Sequence, residues 1–247
     1  MVDLHCHLLP GFDGGPANLE AAVQMAIRAH SMGVACVVAT PRYGDHEYRS
    51  QNLAARSGRE QLLEMLRDRG ALIDIGLAAE CRFGQRLLRA IVTNAAPVLG
   101  QFEGSRVLLL ALPERWPKNL GAVIEWMRVQ KVRPLLAAPE RHREVLHHIE
   151  VLQTVVAAGA LLEINASALS GRQGPYVQQR ARELLERGWV TVISSNAHAG
   201  DAIGAELEVG RVAAAAILGD AAAQRLVWDN PAAIAAPLLL KSRRVHG

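Results

Sequence analysis

Short apolar runs alternate with longer stretches of helical character seven times along this 247-residue chain, and no long linker separates them. The strand candidates are Val2–His7, Ala35–Thr40, Leu72–Glu80, Arg106–Leu112, Arg133–Ala138, Leu161–Ala166 and Val190–Ser195. Between them lie helix candidates at Ala17–Ser31, Ser57–Arg69, Gln85–Val92, Asn119–Gln130, Glu144–Ala158 and Tyr176–Arg187, several of them followed at once by a glycine stop signal. Ala205–Leu218 and Ala221–Val227 are read as two closing helices before Asn230-Pro231. Strands that alternate with helices form parallel sheets with right-handed crossovers. Seven such units suit one α/β domain spanning residues 1–247, a distorted seven-stranded (β/α)7 barrel of TIM-like design. An open doubly wound sheet is the alternative, but no Gly-x-Gly-x-x-Gly loop follows the first strand.

Composition removes several classes of function. Hydrophobic residues make up 50% and charged residues 21%, as in a folded globular chain. The net charge of +3 is accounted for by Lys241, Arg243 and Arg244 near the end, and aromatics are 4%. Neither a basic surface nor a base-stacking platform is indicated, so nucleic acid is not an expected partner. No apolar run is long enough for a transmembrane helix, and the N-terminus lacks the basic and apolar regions of a signal peptide. Three widely spaced cysteines, Cys6, Cys36 and Cys81, argue against a disulfide framework. A cytoplasmic protein is expected.

In a parallel barrel, chemistry sits where strands end. The first strand ends His5-Cys6-His7, and alternation places both imidazoles on one face, an arrangement suited to a divalent metal. The third ends at Glu80, and the last runs into Ser195-Asn196-Ala197-His198, where Asn196 and His198 share a face. Each is also compatible with ordinary polarity at a strand end.

With these residues in order, the chain resembles the metal-dependent tyrosine phosphatases of bacterial capsule and exopolysaccharide systems, in the polymerase-and-histidinol-phosphatase (PHP) superfamily. The resemblance is carried by Val2 to Asp13 with its His5-Cys6-His7, by Ala39-Thr40-Pro41, Glu80 ahead of Arg82, Pro139-Glu140-Arg141, Gly171 with Gly174, and Ser195 to His198. It implies a distorted seven-stranded barrel holding three divalent metals, commonly manganese, which activate water against a phosphotyrosine. It also implies a phosphotyrosine protein as partner, such as the tail of a bacterial tyrosine kinase. Arg141 falls on the position implied to bind phosphate.

The departures fall on the chemistry. Arg42 stands where the family has His, Ala111 where it has Glu, Ala138 where it has His and Asn196 where it has Asp; the acidic pair after Pro10-Gly11 is reduced to Asp13 followed by Gly14. Of three carboxylates in the aligned pattern, Glu80 remains. Three divalent ions within about 4 Å repel strongly without bridging carboxylates. The expectation is therefore at most one tightly bound ion, on His5, His7, Glu80, Asn196 and His198, with Arg42 and Arg141 forming an anion site. Four functions fit that centre: a weak hydrolase or phospho-ligand-binding regulator, a competent phosphatase in which Arg42 replaces a metal, a scaffold for a kinase tail, and a small-molecule phosphoesterase. Asp45-His46-Glu47 offer substitute ligands, but solvated loop polarity is the simpler reading. Cys36 and Arg42 match the Cys-x5-Arg spacing of cysteine phosphatases, yet the residues between are an apolar strand that forms no phosphate cradle. His30, His142, His147 and His148 read as surface or capping histidines.

Overall fold

The computed structural model describes residues 1–12, 14–42 and 48–244. Among the described residues there are nine strands, in two sheets. Strands β1 (Val2–Cys6), β2 (Cys36–Ala39) and β3 (Asp74–Leu77) form a parallel three-stranded sheet. The second sheet contains β4 (Glu80–Arg82), β5 (Gly100–Phe102), β6 (Ser105–Ala111), β7 (Val132–Ala137), β8 (Leu161–Asn165) and β9 (Val190–Ser194). It is parallel in the order β4-β6-β7-β8-β9, with β5 antiparallel on β6.

The expected parallel α/β architecture is present, with its strands in two sheets that meet at isolated bridges. One joins Cys6 to Ala197, with His7 N–H donating to Ala197 O and Asn196 N–H to His5 O, both at 2.8 Å. The other joins Arg42 to Glu80, with Glu80 N–H on Pro41 O at 3.2 Å. Both lie just beyond the carboxyl ends of β1, β2 and β9, so the seams themselves carry candidate site residues. The run Leu72–Glu80, expected as one strand, divides between the sheets: β3 ends at Leu77, and Glu80 opens β4 rather than closing a strand. The apolar Ala78-Ala79 between them carries no sign of the break.

Elsewhere the helices begin and end near their expected positions. Asn18 caps Leu19–Ser31 through a 2.9 Å bond from Ala21 N–H. Three differ. The second helix begins at Tyr48, well before Ser57. Glu144–Ala158 is two helices, Arg143–His147 and Val151–Ala157. Asn230-Pro231 opens a helix, Asn230–Arg244, instead of ending the helical region, because proline lacks a donor that the first turn does not need. That helix comes after a π turn at Arg225–Asp229 and packs on β1, β3, β5 and β9.

Two hydrophobic clusters explain which faces the strands bury. Val2, Leu4, Cys36, Val38, Val107, Leu109, Leu135 and Val192, from both sheets, share one cluster with Ile234 and Ala235 of the last helix. Alternate residues such as Val37, Ala39, Leu108, Leu110 and Leu136 pack in the other, with the surrounding helices. Strands buried on both faces need apolar residues throughout, which is why their sequences run almost without polar residues.

β1 breaks this alternation where it matters. Between Asp3 and Cys6 it advances three residues while β2 advances two, from Val37 to Ala39. The extra residue is a bulge, and a one-residue slip reverses the facing of every side chain beyond it. Cys6 takes the slot opposite Ala39 and packs on the helix side; His5 and His7 are turned to the site.

Candidate metal centre

Among the described residues, His5, His7 and Glu80 form a group whose potential ligand atoms all lie within 4.8 Å of one another, and all three are buried. One carboxylate oxygen, Glu80 Oε2, lies 3.8 Å from His5 Nε2 and 3.6 Å from His7 Nε2. His5 Nε2 and both ring nitrogens of His7 have no hydrogen-bond partner. Unpaired imidazole nitrogens that are buried around an anionic oxygen form a donor set suited to a borderline divalent cation.

A residue that the sequence pattern does not single out orients the first ligand. Glu163, in the middle of β8 and fully buried, receives His5 Nδ1–H at 3.3 Å on Oε2 and Ala138 N–H at 3.1 Å on the same oxygen. Holding Nδ1 as the donor aims Nε2 at Glu80, where a binding ion would displace the proton on Nε2. A carboxylate inside the otherwise apolar Leu161-Leu162-Glu163-Ile164 was the available signal. We expect Glu163→Gln to weaken manganese binding by about 10- to 100-fold, as loss of an outer carboxylate on a ligating histidine does. Titration calorimetry on the two proteins reads this directly, and equal affinities would show that packing alone orients His5.

The electrostatics stem from burial and these neighbours. Burial disfavours the His5 imidazolium, but Glu163 and then Glu80 outweigh it and hold its pKa up at about 10. Burial and the adjacent His5 charge push His7 down to about 3, so that its ring is neutral. Glu80, although buried, is held down at about 2 by His5 and by Arg42.

Arg42 occupies the next position. Its Nε donates to Glu80 Oε2 at 2.6 Å, so a guanidinium shares the oxygen that faces both histidines. A cavity of about 250 Å3 opens here, lined among others by His5, Arg42, Glu80, Ala111, Ala138 and Arg141. Ala111 and Ala138 contribute no donor side chain to its wall. Ala138 holds a left-handed backbone, φ 46°, and so does Asn196, φ 48°. Asn196 tolerates this region better than most residues; its Oδ1 is buried and unpaired.

The remaining expected ligand, His198, stacks on His7 with ring centroids 4.4 Å apart. Its Nδ1–H donates to Asn196 O at 2.9 Å, and its backbone N–H to Asp201 at 2.8 Å. It lies outside the tight group of three. The strand end is braced by Asp3, which accepts Ser195 Oγ–H at 2.5 Å and Ser195 N–H at 3.1 Å.

The other candidates resolve simply. Cys36 is buried and its thiol pushed up to about 12 by that burial, which is incompatible with a thiolate nucleophile. His142 spends both ring nitrogens, on Pro113 O at 2.9 Å and on Glu144 N–H at 3.1 Å. Asp45-His46-Glu47 lie outside the described residues. No helix among the described residues is long and apolar enough to cross a membrane.

Behind Glu163 lies a second buried acid. Glu140 Oε1 accepts Asn165 N–H at 3.0 Å, and burial, with the Glu163 charge second, raises its pKa to about 8. An acid raised from about 4.5 stabilises the fold fully below that pH, and the contribution is lost as pH rises through 8. In chelator-treated protein the melting temperature of Glu140→Gln, relative to the parent, is therefore expected to rise between pH 4.5 and 8. A difference independent of pH would show that Glu140 is ionised throughout.

A parallel α/β fold that gathers two histidines and a carboxylate beside its strand ends defines an α/β protein with a candidate metal site. Residues 1–236 match the family described as capsular polysaccharide synthesis, CpsB/CapC, and the chain belongs to that family. Among its relatives, the tyrosine-protein phosphatase YwqE of Bacillus subtilis (strain 168) is 25% identical over 199 residues, 80% of this chain and 77% of that one. The tyrosine-protein phosphatase CpsB of Streptococcus pneumoniae is 23% identical over 239 residues, 94% and 96% of the two chains. A crystal structure from work on those two proteins, reported as metal-dependent tyrosine phosphatases, superposes with a TM-score of 0.84 at 21% identity, covering 96% of this chain and 94% of the other. A zinc-containing histidinol phosphate phosphatase from Lactococcus lactis shares the fold at a TM-score of 0.54 and 13% identity, over 88% of this chain and 95% of that one.

Proposed function

We propose that this chain is a phosphate-monoester site of the tyrosine-phosphatase type with a reduced metal centre, acting as a slow hydrolase or as a phospho-ligand-binding regulator in the cytoplasm. One divalent ion, with manganese the expected metal, is held by His5, His7 and Glu80, with Asn196 and His198 beside them. Arg42 and Arg141 take the phosphate, since guanidinium donors match its oxygens and carry a permanent charge. The ligand is a phosphotyrosine protein, with a tyrosine-kinase tail as the candidate partner. A bound ion would supply a water of lowered pKa and charge neutralisation at the phosphoryl group. This chain's own residues place the ligand: Glu163 fixes His5, and the two arginines face the cavity at whose edge Glu80 sits.

The observation that carries the reading is the 2.6 Å contact of Arg42 with Glu80. A cation already shares the single carboxylate of the group, and Ala111 and Ala138 leave the opposite wall without donors. A second metal would therefore meet positive charge with no carboxylate to bridge it. The same contact also favours a second reading, in which Arg42 replaces a metal and the chain is a competent phosphatase. Elemental analysis of the purified protein tests the proposal. About one divalent ion per chain is expected, and three at full occupancy would overturn it. Phosphotyrosine-peptide binding by the metal-free protein would favour the regulator over the hydrolase.

A further inference from the structure

A larger cavity, of about 530 Å3, adjoins the metal group and is lined by Arg141, Asn165, Gln173, Asn196 and His198 among others. Arg141 and Asn196 line both cavities, so one molecule seated on Arg141 can extend into either. The volume falls within the roughly 300–1,000 Å3 of small-molecule sites.

Its lining is unusual for a pocket built around a tyrosine ring. No Phe, Tyr or Trp is among the described residues lining either cavity, and Val177 is the one aliphatic side chain in the larger. The floor is polar and unsatisfied. Asn165, at the carboxyl end of β8, is fully buried, and both its amide oxygen and its amide nitrogen lack a partner. Gln173 Oε1 and Asn196 Oδ1 are likewise buried without partners. Gln173 is held in place by its other amide atom, which donates to Ser167 Oγ at 2.5 Å. A ligand offering both donors and acceptors meets both halves of the Asn165 amide.

We infer that this cavity binds the body of a small polyhydroxylated phosphate ester, a sugar phosphate in chemical class, whose phosphoryl group sits on Arg141. Hydroxyls both donate and accept, and so satisfy Asn165 Nδ2, Asn165 Oδ1 and the two further amide oxygens together. An aromatic ring satisfies none of them and would leave the amides buried and unpaired. Sites that hydrogen-bond a hydroxyl discriminate strongly against analogues lacking it, for the same reason. The inference rests on the proposed phosphate site for the position of the phosphoryl group, and it adds a hydroxylated small molecule as a further ligand class for that position.

The test compares three probes by titration calorimetry on the full chain as purified: inorganic phosphate, phenyl phosphate and glucose 6-phosphate. Glucose 6-phosphate is expected to bind at least about tenfold tighter than either of the others. In Asn165→Leu, which keeps the volume and removes the amide, its advantage over inorganic phosphate measured on the same variant should collapse to within about twofold. Should that variant fail to fold, Gln173→Ala, at a half-exposed position, is expected to reduce the advantage at least about threefold. If phosphate and phenyl phosphate bind and glucose 6-phosphate is no tighter, or if its advantage survives the substitution, the inference falls and the proposed phosphate site stands. If none of the three binds, the phosphate site falls and takes this inference with it.

Discussion

Supplied with manganese, this chain is expected to turn over a phosphotyrosine peptide at least about a hundredfold more slowly than a relative that retains the ligands implied by the family pattern. The reaction needs a water made acidic and a phosphoryl group whose developing charge is neutralised. Arg42 and Arg141 supply part of the second requirement, as permanent cations with donors shaped for phosphate. They supply none of the first, because arginine stays protonated and is not a Lewis acid. Loss of a single transition-state contact commonly costs about a hundredfold, and Arg42, Ala111, Ala138 and Asn196 stand at four positions where the family resemblance implies ligands. The structure adds a reason that composition could not: Arg42 is bonded to Glu80, so the one carboxylate of the group is shared with a fixed cation. Restoring Arg42→His, Ala111→Glu, Ala138→His and Asn196→Asp together is expected to recover at least about tenfold in turnover. The two αL positions, Ala138 and Asn196, are the ones where the replacements have to be accommodated. Turnover of the parent equal to that of an intact relative would show that the centre is not reduced.

How much of this site was legible before the structure depended on the kind of signal each residue left. His5 and His7 close a β-rich opening run, and the spacing i, i+2 on a strand sets them on one face without further information. The sequence offers Glu80 as a candidate ligand at the end of a strand, whereas in the structure it opens β4. Ala78-Ala79 is apolar, and an apolar run does not reveal that the chain has stepped from one sheet to the next. β5 was missed for a related reason. It is three residues long, and its turn, Glu103-Gly104, lacks the Asn-Gly or Asp-Gly pair that usually announces a two-residue hairpin, although both residues adopt positive φ. The β1 bulge depends on the pairing of two strands and leaves no local trace.

Glu163 and Asn165 show the opposite case. Their strand was found, but a strand buried on both faces is read as core, and its polar residues pass unremarked. In a parallel strand a lone acid is costly unless something distant meets it. Its partners here are His5, 158 residues away, and the Ala138 backbone. Here the acid in the middle of β8 meets His5 and the amide at its carboxyl end lines the larger cavity, so two polar residues in an apolar β-strand were a readable signal.

Glu80→Gln is expected to lower the affinity for a divalent ion by more than the roughly 10–100-fold that losing an outer-shell partner costs. The substitution keeps the shape and one acceptor oxygen while removing the negative charge, so it isolates charge from packing. Glu80 supplies the carboxylate of the group, with Oε2 3.8 Å from His5 Nε2 and 3.6 Å from His7 Nε2. Without it, a divalent ion faces the neutral His7 ring, a His5 ring that must first give up the proton its raised pKa holds, and the Arg42 guanidinium, so the carboxylate attraction is lost and repulsion remains. Asn196 does not compensate, since its amide oxygen is neutral. The neighbouring Glu163 is not one of the three residues whose ligand atoms lie within 4.8 Å of one another; its Oε2 serves His5 and the Ala138 amide, while its Oε1 is buried without a partner. Titration of the chelator-treated variant with manganese measures the loss. A companion Arg42→Met separates the two charges: with Glu80 intact and its competing cation removed, affinity is expected to rise at least about threefold. An affinity unchanged in Glu80→Gln would place the ion elsewhere. No rise in Arg42→Met would show that the guanidinium does not compete for the carboxylate that the ion uses.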